Sequence, residues 1–278
     1  MISAISQTLS SCEETRRGQT VAAGILMSVA VVAAHPDDEM LGLGVLLTQL
    51  PVPYVIIHVT DGAPRSGDDI AKAGCKTWQE YAALRRREFE EALGAAGGSA
   101  CTRLCLDCPD QQAVFRISDL AMQLVGIFES LHPSIVFTHA YEGGHPDHDA
   151  TAAAVHAALR ILKTPCTLAE FAGYHAGAAG MECECFLGAG GDFVPRPLTT
   201  EESRRKRGLL DRYVSQAEVL AQFPLRHEPL RLASPYDFGR PPHEGPLYYD
   251  RFEWGVHSAE WRELAGRAFR KLGIPCMC

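Results

Sequence analysis

The sequence predicts an α/β fold, a Rossmann-like open and mostly parallel sheet with helices on both faces. Three observations predict it. From Met27 onward short apolar runs alternate with longer stretches of helical periodicity, the pattern of parallel strands joined by crossover helices. No repeat, linker or low-complexity tract divides the 278 residues, and 46% of them are apolar, enough for one large core. Two loops that combine proline, acid and histidine fall at strand ends, where the functional crevice of such a sheet lies.

Taken in order, the first strand runs from about Ser28 to Ala34 and leads into a helix over about Asp37 to Leu50, with Pro36 at its mouth, acids in its first turn and Pro51 closing it. Tyr54 to Thr60 reads as a second buried strand, residues 61 to 76 as a Gly- and Asp-rich loop, and Thr77 to Ala96 as an amphipathic helix. A short strand at 102 to 106 precedes a helix over Ser118 to Leu131 and a strand over Ser134 to His139. The loop from Tyr141 to His148 feeds an Ala-rich helix from Asp149 to Leu162. A strand over 167 to 174 and a helix over Thr200 to Leu220 follow. The Pro-rich segment 223 to 255 reads as irregular surface loop, and a helix near His257 to Leu272 ends the chain. The domain expectation is a polar arm over residues 1 to 20 and a single domain over 21 to 278.

Composition excludes several functions. A formal net charge of −8 supplies no global positive field for nucleic acid or anionic lipid, which points to a small-molecule partner. The apolar stretch Val21 to Ala34 is about fourteen residues, too short to span a bilayer, so membrane insertion is not expected. Nor does it follow a basic start, which argues against a secretory peptide and for the cytoplasm. Ten cysteines are too sparse for a disulfide scaffold. The groups Cys101/Cys105/Cys108, Cys183/Cys185 and Cys276/Cys278 lack a paired C-x-x-C, so a structural zinc site is not expected there. A redox role for Cys276 and Cys278 stays open, as does assembly into a homo-oligomer.

Two constellations carry chemistry. His35-Pro36-Asp37-Asp38-Glu39 stands between a strand and a helix start. Helix capping accounts for Pro36 and the acids but leaves His35 unexplained. His145-Pro146-Asp147-His148 repeats the context, with two histidines three apart. A His-x-x-Asp and a His-x-x-His at two strand ends of one sheet jointly offer two imidazoles and a carboxylate, a catalytic zinc set with an open position.

With Thr60-Asp61-Gly62 after the second strand, these motifs resemble the zinc-dependent de-N-acetylases of the LmbE-like, or PIG-L, superfamily, over about residues 28 to 175. The resemblance implies the LmbE-like deacetylase fold, with His35, Asp38 and His148 as Zn2+ ligands and Asp37 as the general base toward a metal-bound water. It implies that His145 stabilises the oxyanion or donates a proton, with Asp147 orienting that imidazole. The division of acid duty between Asp37 and His145 stays open. The implied reaction removes an N-acetyl, or another N-acyl, group from an amino sugar or glycoconjugate. An amidase acting on another amide, such as a thiol conjugate, and a noncatalytic sugar-binding module are the competing readings. The first turn lacks G-x-G-x-x-G, which disfavours dinucleotide binding.

Substrate contacts are less legible. Arg65 is a candidate for a sugar hydroxyl or phosphate, against a simple pairing with Asp68 or Asp69. Tyr141 is a candidate oxyanion donor and Glu142 a weaker substrate contact, with Gly143 and Gly144 allowing that loop to move or to approach substrate. Arg85 to Arg87 and Arg204 to Arg207 read as solvated helix faces, His156 as packed, and His175 as a loop residue. Tyr236, Phe238, Tyr248 and Tyr249 make the Pro-rich segment either a pocket wall suited to sugar stacking or a subunit interface.

Overall fold

In a computed structural model, which describes residues 28–50, 53–65, 67–98, 101–187 and 196–277, the strands β1 (Ser28–Ala33), β2 (Tyr54–Pro64), β3 (Thr102–Asp110), β4 (Pro133–His139), β5 (Thr167–Phe171) and β8 (Leu230–Leu232) form one sheet. Its order is β3-β2-β1-β4-β5-β8, parallel except for the last strand. The predicted α/β class therefore stands, with one antiparallel edge. The expected arm over residues 1 to 20 lies outside the described residues.

Alternation along the strands builds two cores. Val29, Val31, Ile56, Ile135 and Phe137 point to one face. There they meet α1 (Asp38–Leu47), α3 (Trp78–Ala95) and α6 (Thr200–Leu210) through Met40, Leu43, Phe89, Leu93 and Leu209. Ala30, Val32, Val55, Ile57 and Val136 point to the other. They meet α4 (Ile117–Leu131), α5 (Pro146–Leu162) and α8 (Ser258–Lys271) through Leu120, Leu124, Val155, Trp261 and Phe269. Each face hides a full layer of side chains, which is why these strands carry apolar residues in unbroken runs.

Several boundaries differ from the sequence expectation. β2 continues to Pro64 and β3 to Asp110, because the two strands stay paired past their apolar runs through Thr60–Cys108 and Pro64–Asp110. The strand expected over 167 to 174 stops at Phe171, and Tyr174 opens a separate hairpin of β6 (Tyr174–Gly177) and β7 (Gly180–Cys183). The helix expected over 200 to 220 is broken after Leu210, where Arg207 donates to the carbonyls of Leu220 and Phe223 and ties the returning chain to the helix. A four-residue turn, α2 (Asp69–Lys72), and another, α7 (Ala217–Leu220), complete the helices among the described residues.

Strand order reverses between β1 and β4, which run side by side while their crossovers leave to opposite sides. The loops after these two strands hold the two histidine motifs, so the fold brings residues more than a hundred positions apart to one point.

Candidate active site

At the carboxyl end of β1 the chain turns sharply, and α1 begins at Asp38 rather than Asp37. Asp37 adopts φ 140°, a conformation most side chains avoid. Its backbone is pinned by bonds from its carbonyl to the N–H groups of Met40 and Leu41, and its N–H donates to Glu39 Oε2 at 3.2 Å. Arg85 holds the turn from α3. Its guanidinium donates to Pro36 O at 2.7 Å, Gly62 O at 3.2 Å and Asp37 Oδ2 at 3.1 Å.

Asp38 sits among imidazoles. Its Oδ2 accepts the His35 N–H at 2.8 Å and lies 3.2 Å from His35 Nδ1, while Oδ1 lies 3.2 Å from His148 Nε2. His139, from the end of β4, stands 3.4 Å from Asp38 Oδ2 and stacks on His148 with ring centroids 4.1 Å apart. On its other edge His35 Nε2 meets Asp110 Oδ1 at 3.2 Å and Asp147 Oδ2 at 3.3 Å. His145 begins α5, and its Nδ1 accepts the Asp147 N–H at 3.1 Å, which leaves Nε2 as the ring nitrogen free of that bond.

The crowding sets the charges. Burial acts to lower the His35 pKa, but Asp110, then Asp147 and Asp38, override it and raise it well above the ordinary imidazole value. Asp38 is held well below the usual carboxylate range, because His148 and His139 outweigh its burial. Burial pushes the Asp37 carboxyl up to about 8, against the pull of Arg85. His145 lies well below the ordinary imidazole value through burial and the neighbouring His35 and His148. Burial and His148 take His139 down to about 4.

His35, Asp37, Asp38, Asp110, His145 and His148 form the floor of a cavity of about 690 Å³, walled by Tyr174, Tyr248, Phe252 and Trp254. Trp254 packs on His145 at 4.5 Å between centroids and on Phe252 at 4.5 Å. Three triplets at this point have ligand atoms all within 4.8 Å of one another: His35, His145 and His148; Asp38, His139 and His148; His35, Asp110 and Asp147. The predicted trio of His35, Asp38 and His148 is not itself one of these triplets, but Asp38 touches both imidazoles.

The two motifs that converge here fall within residues 30–159, which match the PIG-L family, described as GlcNAc-PI de-N-acetylase. This segment is similar to the PIG-L family. Among solved structures, teicoplanin deacetylase Orf2 in its zinc-inhibited form superposes with a TM-score of 0.58 at 18% identity, over 75% of this chain and 99% of that one. N,N'-diacetylchitobiose deacetylase from Pyrococcus horikoshii gives 0.55 at 18% identity, over 74% and 83%. The A40926 pseudoaglycone deacetylase Dbv21 gives 0.53 at 20%, over 71% and 85%. At such identities the likeness is one of fold, and it reaches beyond the matched segment. A comparison with curated proteins returns no match.

Of the expected site residues, the structure gathers His35, Asp37, Asp38, His145 and His148 around the cavity. Four take other places. Tyr141 is buried against Trp261 and donates its hydroxyl to Arg240 O at 2.8 Å, so it does not reach the cavity as an oxyanion donor. Glu142 is buried and accepts the N–H groups of Gly173 and Leu187 at 3.2 and 3.3 Å, which makes it a loop anchor rather than a substrate contact. Arg65 pairs with Asp61 at 2.7 Å and lies over the Trp78 ring, so its acidic partner is Asp61 rather than Asp68 or Asp69. Asp147 fixes the backbone N–H groups of Gln111 and Ala113 and approaches His35, not His145. It is the Asp147 backbone, not its carboxylate, that orients the His145 ring.

The glycine pair also reads differently. A Cβ on Gly144 would stand 1.9 Å from the Tyr174 carbonyl, so the residue permits a tight backbone contact between loop and hairpin rather than motion. Sequence reasoning missed Asp110, His139 and Arg85. Asp110 and His139 close their strands without any local motif, and Arg85 is 3% exposed although its neighbours Arg86 and Arg87 face solvent. Lys206, read as part of a solvated cluster, is likewise buried and pairs with Glu228 at 2.9 Å. His156 packs as expected, against Tyr236 and Phe238. Of the four aromatic residues considered for a pocket wall, only Tyr248 lines the cavity; Phe238 and Tyr249 are core and Tyr236 packs on it.

Proposed function

We propose that the chain is a zinc-dependent hydrolase that removes an N-acetyl, or related N-acyl, group from an amino sugar or glycoconjugate. The observation that carries this reading is the placing of one carboxylate, Asp37, beside an Asp38-centred imidazole cluster at the floor of the cavity, and its diversion by Arg85 from that cluster.

The donor chemistry fits zinc. The buried carboxylates of Asp38 and Asp147 and the part-buried carboxylate of Asp110 crowd one imidazole, with Asp110 Oδ1 3.2 Å from His35 Nε2. Such a surplus of buried negative charge suits a divalent cation, and imidazole with carboxylate is a donor set zinc accepts. His35, Asp38 and His148 would hold the ion, with Asp147 and Asp110 orienting His35. Bound there, zinc supplies a Lewis acid for the amide carbonyl and acidifies water.

The chain's own residues do the rest. Asp37, held by Arg85 and not by the cluster, takes the proton of the attacking water on a carboxylate oxygen. His145 accepts a backbone N–H on Nδ1, so its neutral ring carries the proton on Nε2 and offers it to the oxyanion or to the departing nitrogen. Tyr174, Tyr248, Phe252 and Trp254 supply apolar faces against which a sugar ring can stack. A cytoplasmic setting goes with this reading, supported by the free thiols of Cys101, Cys105, Cys108 and Cys166. No helix among the described residues is long and apolar enough to cross a membrane.

The test is a deacetylation screen of N-acetylglucosamine conjugates with zinc present, following acetate and the free amine. Acetate release that depends on zinc is the expected result. Release of a larger acid instead of acetate moves the substrate to another amide, and silence across the series removes the amino-sugar assignment.

A further inference from the structure

The β6–β7 hairpin has two faces of different character. Tyr174, Ala176, Met181 and Cys183 alternate onto one, where Tyr174 and Met181 line the cavity and pack on the core. His175 and Glu182 sit directly opposite each other on the other face. Immediately past the end of β7, Glu184 takes the left-handed conformation at φ 57°, and its carboxylate is anchored by the N–H groups of Arg226 and His227. That kink returns Cys185 to the His175 side. The ligand atoms of His175, Glu182 and Cys185 then all lie within 4.8 Å of one another.

We propose that these three residues form a second, structural metal site that takes a divalent transition-metal ion, zinc above all. A second observation points to a ligand. His175 is 3% exposed, and its Nδ1 is buried without a hydrogen-bond partner. A buried imidazole nitrogen left so is costly unless something binds it. His243 stands close enough to act electrostatically on His175, and its own Nε2 is buried without a partner. Imidazole, carboxylate and thiolate together cancel the charge of a divalent ion and are donors that zinc takes readily. On binding, the Cys185 S–H bond breaks, an Sγ–metal bond forms and the proton leaves to solvent, with no change of oxidation state. Sequence spacing argues against a cysteine-built site at Cys183 and Cys185, and this cluster uses only one of the two, the other partner groups arriving across the hairpin.

The consequence is local. A metal pinning His175 to Glu182 and Cys185 fixes the hairpin from behind, while the opposite face presents Tyr174 and Met181 to the cavity. The catalytic cluster contains no cysteine, and that separates the two sites by spectroscopy. Full-length chain stripped with chelator is titrated with Co2+, reading the thiolate-to-cobalt charge-transfer band in the near ultraviolet. The expected result is a saturable band that Cys185→Ser abolishes. Glu182→Gln weakens binding by at least the roughly tenfold that losing an outer-sphere partner costs. His148→Ala, which disables the catalytic cluster, leaves the band intact. Neither Glu182 nor Cys185 is fully buried, so both variants are expected to fold. No thiolate band in the unaltered chain overturns the site, as does a band that survives Cys185→Ser or disappears in His148→Ala. Loss of deacetylation in the screen above leaves this result untouched.

Discussion

Asp37 occupies φ 140°, a conformation that costs a non-glycine residue about 1–3 kcal/mol, and the turn holds it there by Arg85 and by its own backbone bonds. A strained carboxylate diverted from a neighbouring imidazole cluster suits a base better than a ligand. Asp37→Asn should therefore lower kcat by about 10²- to 10⁴-fold while bound zinc stays stoichiometric. Parallel loss of zinc would make Asp37 a ligand instead. A second test concerns Glu142, whose carboxyl burial pushes up to about 7 although two backbone N–H groups and Arg231 favour its charged form and Glu170 opposes it. The folded chain thus keeps a proton that the unfolded chain releases. Stability from this group is complete below about 4.5 and is lost as pH rises through about 7, by a few kcal/mol at most. Urea midpoints between about pH 5 and about pH 8 should show the fall, and Glu142→Gln should flatten it; an unchanged slope assigns the titration to another group. At this scale the sequence discloses residues that share a contiguous motif, as His35, Asp37 and Asp38 do. It conceals Asp110 and His139, whose place in the site depends on strand order, and Arg85, whose charge pattern matches that of its exposed neighbours.

Helices and strands were legible wherever an apolar stripe had one partner, as in α4, where the residues at 120, 121, 124, 125 and 128 are all buried. They were not where a polar contact across the fold decides the outcome. Glu228, from the irregular segment after α7, is such a contact. It accepts the N–H groups of Val45 and Leu46 near the end of α1 at 2.9 Å each, and the ammonium of Lys206 from α6 at 2.9 Å. Lys206 is 1% exposed, so no water replaces its partner. Nothing in the periodicity of residues 200 to 220 separates this lysine from the arginines around it. Glu228→Ala leaves a buried ammonium unpaired and should cost about 3–5 kcal/mol in denaturant unfolding. A loss near the value for a surface pair, under about 1 kcal/mol, would mean that water reaches Lys206 and that α1 and α6 are held by their apolar contacts alone.

The whole molecule joins its two halves at one point, where the loops after β1 and β4 meet, and that point gathers a group of buried and part-buried carboxylates. Asp37, Asp38, Glu39, Asp110 and Asp147 converge there, while Arg85 is the buried guanidinium that faces them. Protonation of His35 relieves part of this charge, and a divalent ion would relieve more of it. An ion that binds only the folded chain stabilises it by RT ln(1 + [L]/Kd), about 2.7 kcal/mol at a hundredfold excess over Kd. For a chain of this size that is a shift in Tm on the order of 5 to 10 °C. Stripping with chelator should therefore lower Tm by that amount and abolish acetate release, and added zinc should restore both. The two metal sites separate in the same measurement. Cys185→Ser should retain the zinc-dependent activity and lose only part of the Tm shift, because an ion there would pin one hairpin, whereas an ion held by His35, Asp38 and His148 would link the loops after β1 and β4. A Tm indifferent to chelator, in a chain whose zinc content has fallen to zero, would mean that imidazole protonation alone balances the carboxylates, and the cation would then be tied to catalysis and not to the fold.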